Sequence, residues 1–181
     1  MAKKESTFLS MFTTLSIVAL VAAGLLGSVY ALTKEPIRLA ELRKKNESIE
    51  AVVPEFDNAI DGDTVFIYTA KKGGEIVGTA VETFTKNGFS GEFKLMVGFD
   101  TEGTIVDIAV ISHSETPGLG DKMERAKSDF HVQFMGKDPS DFVIKVEKDN
   151  GDVDAITAST ISSRAYCEAV RRAYEAYEAV K

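Results

Sequence analysis

The densest run of chemically useful side chains in this 181-residue chain is Asp154-Ala155-Ile156-Thr157-Ala158-Ser159-Thr160-Ile161-Ser162-Ser163. One carboxylate is followed by a crowd of hydroxyls. A hydroxyl is a weak nucleophile until a base, a metal or a lowered pKa activates it. No nucleophile–base pair is legible around Ser162 or Ser163, so hydrolase chemistry is not indicated and no catalytic residue is assigned. The hydroxyls instead sit at the start of a helical pattern. Tyr166, Val170, Ala173, Tyr174 and Tyr177 recur at three- and four-residue steps, as one apolar helix face requires.

Two readings fit a hydroxyl run at that position. Ser and Thr cap helices by accepting hydrogen bonds from the first free N–H groups. The same end also suits a phosphate, because the free donors and the helix dipole both favour negative charge. Position alone favours capping.

A second stretch is His113-Ser114-Glu115-Thr116-Pro117-Gly118-Leu119-Gly120-Asp121. It follows the apolar run Ile105 to Ile111, which reads as a strand, and precedes a helix opening at Lys122 to Lys127. Pro117 followed by Gly118 marks a turn, and two glycines so close let backbone approach a ligand. Gly118 and Gly120 also read as plain turn residues. A third glycine-bearing segment, Gly88-Phe89-Ser90-Gly91, leads into Phe93 to Phe99.

The hydroxyl run resembles the Asp-x-x-(Ser/Thr)-Gly-Ala-Thr signature of the FMN-binding domain family. Asp154, Thr157 and Thr160 stand at matching positions, while Ala158 and Ser159 stand where the family usually has Gly and Ala. Glu115-Thr116-Pro117-Gly118-Leu119-Gly120 is similar to a motif of the G subunits of Rnf complexes and of the related sodium-pumping quinone reductase. The Gly88–Gly91 segment is a weaker echo of the same family.

That resemblance implies FMN held as a phosphoester on Thr160, with Thr157 and Ser159 hydrogen-bonding the phosphate. It also implies that the loop of Glu115, Thr116, Gly118, Leu119 and Gly120 lies against the flavin. A flavin transferase would make the attachment. The implied function is electron relay in a membrane complex that couples ferredoxin and NAD oxidoreduction to ion movement. Other membrane subunits would be the partners. Two rival classes stay open, namely a stand-alone anchored flavin reductase and a non-redox binding module.

The elements that must position these motifs suggest an α+β domain, a mainly antiparallel sheet with packed helices. Thr64 to Thr69, Glu75 to Val81, Phe93 to Phe99, Thr104 to Ile111 and Phe142 to Val146 read as strands. Lys71-Lys72-Gly73-Gly74 and Asp100-Thr101-Glu102-Gly103 are turns between consecutive antiparallel strands. Ser128 to Met135 is expected to continue the helix from Lys122, with Phe130 and Phe134 facing the core.

The amino end answers a separate question. No charged residue occurs from Ser6 to Thr33. A membrane-spanning helix needs about 20 apolar residues, whereas a cleaved signal has an apolar region of about 7–15. A retained anchor is expected over cleavage near Val29-Tyr30-Ala31. Residues 1–33 are thus read as tail and transmembrane anchor, 34–54 as a helical linker and 55–181 as the FMN-binding domain. Pro36 suits a helix start and Pro54 a stop. In the linker, Leu39, Leu42, Ile49 and Val53 share one face, opposite Lys44, Glu47 and Ser48. That apolar face could pack on the domain or on a partner.

Lys34, Arg38, Arg43, Lys44 and Lys45 outnumber Lys3 and Lys4, so a positive-inside count would keep the domain cytoplasmic. The family resemblance implies the outer, periplasmic face of a bacterial inner membrane. Long domains translocate largely regardless of charge, so the outer face is expected. The net charge of −7 argues against nucleic acid as partner. Cys167 is alone, which excludes an internal disulfide framework and reads as a small packed residue. His113 and His131 lack metal-site spacing.

Overall fold

The computed structural model describes residues 8–52, 58–60, 65–72 and 74–181. The chain divides into two compact units, residues 1–43 and 44–181. The first contains most of helix α1, Phe8–Val52. Its stretch Phe8–Ala40 is apolar and long enough to cross a membrane, with none of the most apolar window buried. Leu9, Leu20, Leu26 and Leu32 all stand exposed along it. The helix continues through Pro36 rather than starting there. Lys3, Lys4, Val53 and Pro54 lie outside the described residues.

The second unit is the expected α+β domain. Five described strands form one antiparallel sheet in sequence order: β1 Asn58–Ile60, β2 Phe66–Lys72, β3 Glu75–Gly88, β4 Gly91–Phe99 and β5 Ile105–Ser112. The expected start at Thr64, and Gly73 in the first turn, lie outside the described residues. The second turn is closed by Asp100, whose Oδ1 accepts from the N–H groups of Glu102, Gly103 and Thr104 at 2.8–2.9 Å. Such side-chain mimicry of a backbone turn is what Asp does best.

Strand β3 runs seven residues past its expected end at Val81, to Gly88. The extension is largely polar, and its Glu82, Thr83 and Thr85 are buried. Thr83 Oγ1 donates to Ala169 O at 3.1 Å, and Thr85 Oγ1 to Glu168 Oε2 at 3.4 Å. Helix α2, Thr160–Glu178, supplies those acceptors by lying along β3. Its Ala165, Tyr166, Ala169, Val170 and Ala173 are buried against Val81, Phe93, Leu95, Val97 and Phe99.

Other expectations fail. Lys122 to Met135 is not one helix but two 3-10 turns, Gly120–Met123 and Phe130–Phe134. Ser128 explains the break, because its hydroxyl donates to Lys122 O and accepts from Phe130 N–H, competing with helical pairing. Phe130 and Phe134 still reach the core, packed around Tyr166 at ring separations of 5.1 and 5.4 Å. Phe142 to Val146 is not a strand either. Val143 N–H bonds the Asp152 carboxylate at 2.7 Å, and only an isolated bridge joins Val146 to Val153. Ser48, expected on the polar linker face, is buried and donates to Lys44 O.

Candidate functional site

The hydroxyl run becomes the entry to α2. Thr160 is the first helical residue and Ser159 the residue before it. Ser159 is buried, but its side chain makes no capping hydrogen bond. Among the described residues, the N–H groups of Thr160, Ile161 and Ser162 have no acceptor, as expected of the first turn of a helix. Ser162 Oγ is buried and also without a partner there. The capping reading therefore does not account for these hydroxyls.

Two residues that sequence reasoning gave no role hold this entry in place. Ser163 Oγ accepts from Ile156 N–H and donates to Ser159 O, both at 2.9 Å. Gln133 brackets Asp154, with Oε1 accepting from its N–H at 2.9 Å and Nε2 donating to its carbonyl at 3.3 Å. Ala158, between them, has φ of +61°. An L-residue enters that left-handed region at a steric cost that glycine avoids. The backbone thus keeps a glycine-like shape where the family signature usually has Gly. Thr157 and Ala158 are exposed, and Thr160 is half-buried.

The second motif is a turn on a buried carboxylate. Leu119 N–H closes on Thr116 O at 3.1 Å around Pro117 and Gly118, whose φ of +79° suits a type II turn. Thr116, Gly118 and Leu119 are exposed, whereas Glu115 and Gly120 are buried. Glu115 Oε1 accepts from Ser90 N–H at 3.3 Å, so the Gly88–Gly91 segment and the 115–120 loop meet directly. Behind the loop, Asp121 is buried and bonded to Lys127 Nζ at 2.8 Å. The Lys127 hydrogen bond holds the Asp121 carboxyl below its ordinary range.

Helix α2 is also in contact with the Gly120–Met123 turn. Beside the first turns of α2 lies a cleft of about 420 Å³, lined among others by Asn87, Lys145, Ile161, Arg164 and Arg171. None of Glu115 to Gly120 lines it. Arg164 there forms a two-pronged pair with Asp149 at 2.6 and 2.8 Å. Among the described residues, no group of three His, Cys, Asp or Glu is placed to hold a metal.

Residues 88–175 match the model of the FMN-binding domain family, a segment that spans both motifs and begins at Gly88. The chain is 34% identical over 180 residues to the G subunit of the ion-translocating oxidoreductase complex of Vibrio vulnificus, covering 90% of this chain and 85% of that one. It belongs to the family of these G subunits. The protein of the same name from Shewanella oneidensis is 34% identical over 178 residues, covering 88% and 84%. That of Vibrio parahaemolyticus is 35% identical over 176 residues, covering 87% and 83%. The resemblance read from the two motifs is borne out, and membership of this family accounts for both halves of the chain. An apolar helix precedes a flavin-type domain.

Proposed function

We propose that this G-subunit homologue is a membrane-anchored electron relay that carries FMN as a phosphoester on Thr160. One observation supports the attachment point above others. The Thr160 hydroxyl opens a helix whose first three N–H groups have no acceptor among the described residues, and the neighbouring Ser159 does not cap them. A phosphate on that hydroxyl would meet those donors and the positive end of the α2 dipole. Thr157 and Ser159 would supply further hydroxyl donors, and the buried Ser162 Oγ another.

When bound, FMN supplies the one- and two-electron chemistry, and the protein contributes binding and orientation. The chain's own residues act around it. Ser163 and Gln133 fix the backbone that presents Thr160. The Thr116–Gly120 turn offers exposed backbone with no side chain at Gly118, so a flat ring can approach it closely. Attachment would use a separate flavin transferase, because a bare hydroxyl is a poor nucleophile and no base is bonded to Thr160 among the described residues.

The names of the relatives support placement among the other membrane subunits of an Rnf-type ion-translocating oxidoreductase. The exposed apolar side chains of Phe8–Ala40 support a single-pass anchor in lipid. We place the flavin domain on the outer face of a bacterial inner membrane, as the family reading expects.

The test is intact-mass analysis with peptide mapping of membrane-expressed protein made together with a flavin transferase. An FMN phosphoester on the Thr160 peptide, absent from Thr160→Ala, is the expected result. Covalent flavin retained in Thr160→Ala would sink the assignment. Unmodified protein that is yellow would indicate non-covalent flavin, and colourless protein the non-redox module. A flavinylated chain that purifies without partners from its native membrane would favour a solitary reductase.

A further inference from the structure

Glu115 stands apart from the loop it begins. Its side chain is buried beneath a run of exposed residues. The carboxylate reaches two separate segments. Oε1 accepts the Ser90 N–H at the tip of the β3–β4 hairpin and lies 2.7 Å from where a Cβ on Gly88 would stand. Oε2 has no hydrogen-bond partner among the described residues and occupies the space that a methyl on Gly120 would need. Both glycines are therefore close approaches to one side chain, not merely flexible points. A residue with a Cβ at either position would displace the carboxylate or the backbone carrying it.

The backbone at Glu115 is held separately. Glu115 N–H donates to His113 Nδ1 at 3.0 Å, and His113 Nε2 faces Glu124 Oε1 at 2.7 Å. With Nδ1 accepting, the ring proton belongs on Nε2 and points to Glu124. Burying a carboxylate is costly unless directed bonds compensate, and an apolar residue of similar size would fill the same gap at lower cost. The polar oxygen that accepts from Ser90 therefore has a role that packing does not supply.

We infer that Glu115 is a positioning residue that clamps the Gly88–Gly91 turn to the 116–120 loop, and so sets the surface against which the flavin ring lies. The last step rests on the flavin reading of that loop. The clamp itself does not, since it consists of one carboxylate held between two glycine segments.

The experiment has two arms. The first uses the full-length Thr160→Ala chain in detergent, which carries no phosphoester flavin on the proposed reading, and follows peptide-resolved hydrogen exchange. Adding Glu115→Ala should raise exchange at least about tenfold in both 88–91 and 116–120, the scale of one lost hydrogen bond to a charged acceptor. Exchange in α2 and β5 should stay unchanged. Glu115→Gln, which can still accept the Ser90 N–H, should restore most of the protection. Unchanged exchange in Glu115→Ala, or a rise spread evenly through the domain, overturns the clamp.

The second arm reads flavin fluorescence anisotropy in the flavinylated wild-type background. Glu115→Ala should lower it toward that of a freely turning ring, with Glu115→Gln close to wild type. An anisotropy unmoved while exchange rises overturns the step from loop to flavin. The exchange arm decides the clamp even if Thr160 proves not to carry FMN.

Discussion

The buried Ser163 hydroxyl accepts a hydrogen bond from Ile156 N–H, seven residues back, at 2.9 Å. The same oxygen donates to Ser159 O at 2.9 Å, so one side chain closes residues 156–159 onto the first turn of α2. The dense hydroxyl run is thereby divided by role. Ser163 is structural, whereas Thr160, three residues earlier, is the hydroxyl proposed to carry the flavin phosphate.

Ser163→Ala should therefore destabilise the domain, by about 2 kcal/mol, because a buried N–H and a carbonyl each lose a partner. Urea or guanidinium unfolding of the flavin-free chain would measure this. A second consequence follows at the proposed attachment site, where flavin occupancy after co-expression with a transferase should fall below wild type. Unaltered stability would show that water replaces the hydroxyl without cost.

Ala158 offers the opposite sign. Its φ of +61° places an L-residue where left-handed backbone costs roughly 1–2 kcal/mol, partly offset in a glycine variant by the greater freedom of the unfolded chain. Ala158→Gly should thus stabilise by roughly 0.5–1 kcal/mol. It should leave flavin occupancy equal or higher, since the exposed methyl makes way for the family's usual residue. A loss of stability would mean that the left-handed geometry is not retained in solution.

How far the sequence reached can be judged from such residues. The meander was legible because β4 and β5 are apolar runs separated by Asp100 to Gly103, a turn whose bonds are local. The end of β3 was not, because Thr83 and Thr85 look solvent-facing until Ala169 and Glu168 arrive from more than eighty residues away. The broken helix at Ser128 turns on a side chain choosing the backbone of Lys122, which periodicity does not report. At the candidate site, the motif residues are legible by their type and order and by the family resemblance they carry. Their supports, Ser163, Gln133 and the buried pose of Glu115, depend on contacts between segments and carry no local signal.

Arg172 ties α2 to the edge of that unforeseen strand extension. Its Nη1 donates to Phe84 O at 2.6 Å, its Nη2 to Glu168 Oε1 at 3.0 Å, and the guanidinium lies 5.1 Å from the Phe84 ring centre. Lysine keeps the charge but not the planar fork or the stacking. Arg172→Lys should cost about 1 kcal/mol and Arg172→Ala about 2, both by chemical denaturation. Equal stability of the lysine variant would assign the contribution to charge alone.

The alkaline limb of stability is set by groups that bury their protons. Burial pushes the Cys167 thiol up to about 12 from an ordinary value of 9.0. It likewise raises Tyr166 well above 10.0, and Tyr174 and Tyr177 move in the same direction. The unfolded chain releases these protons first, so above pH 9 the native state binds more protons than the unfolded state. Stability must then fall as pH rises, beginning near pH 9 with the thiol and steepening as the tyrosines titrate. Denaturation midpoints should hold steady from pH 7 to 8.5 and drop at pH 10, with a smaller drop in Cys167→Ala. The same burial predicts slow thiol chemistry. At pH 8 the native thiolate fraction is on the order of one in ten thousand, so a disulfide reagent should label Cys167 only after denaturant is added. Rapid labelling of folded protein would place the thiol in solvent and remove its share of the alkaline drop.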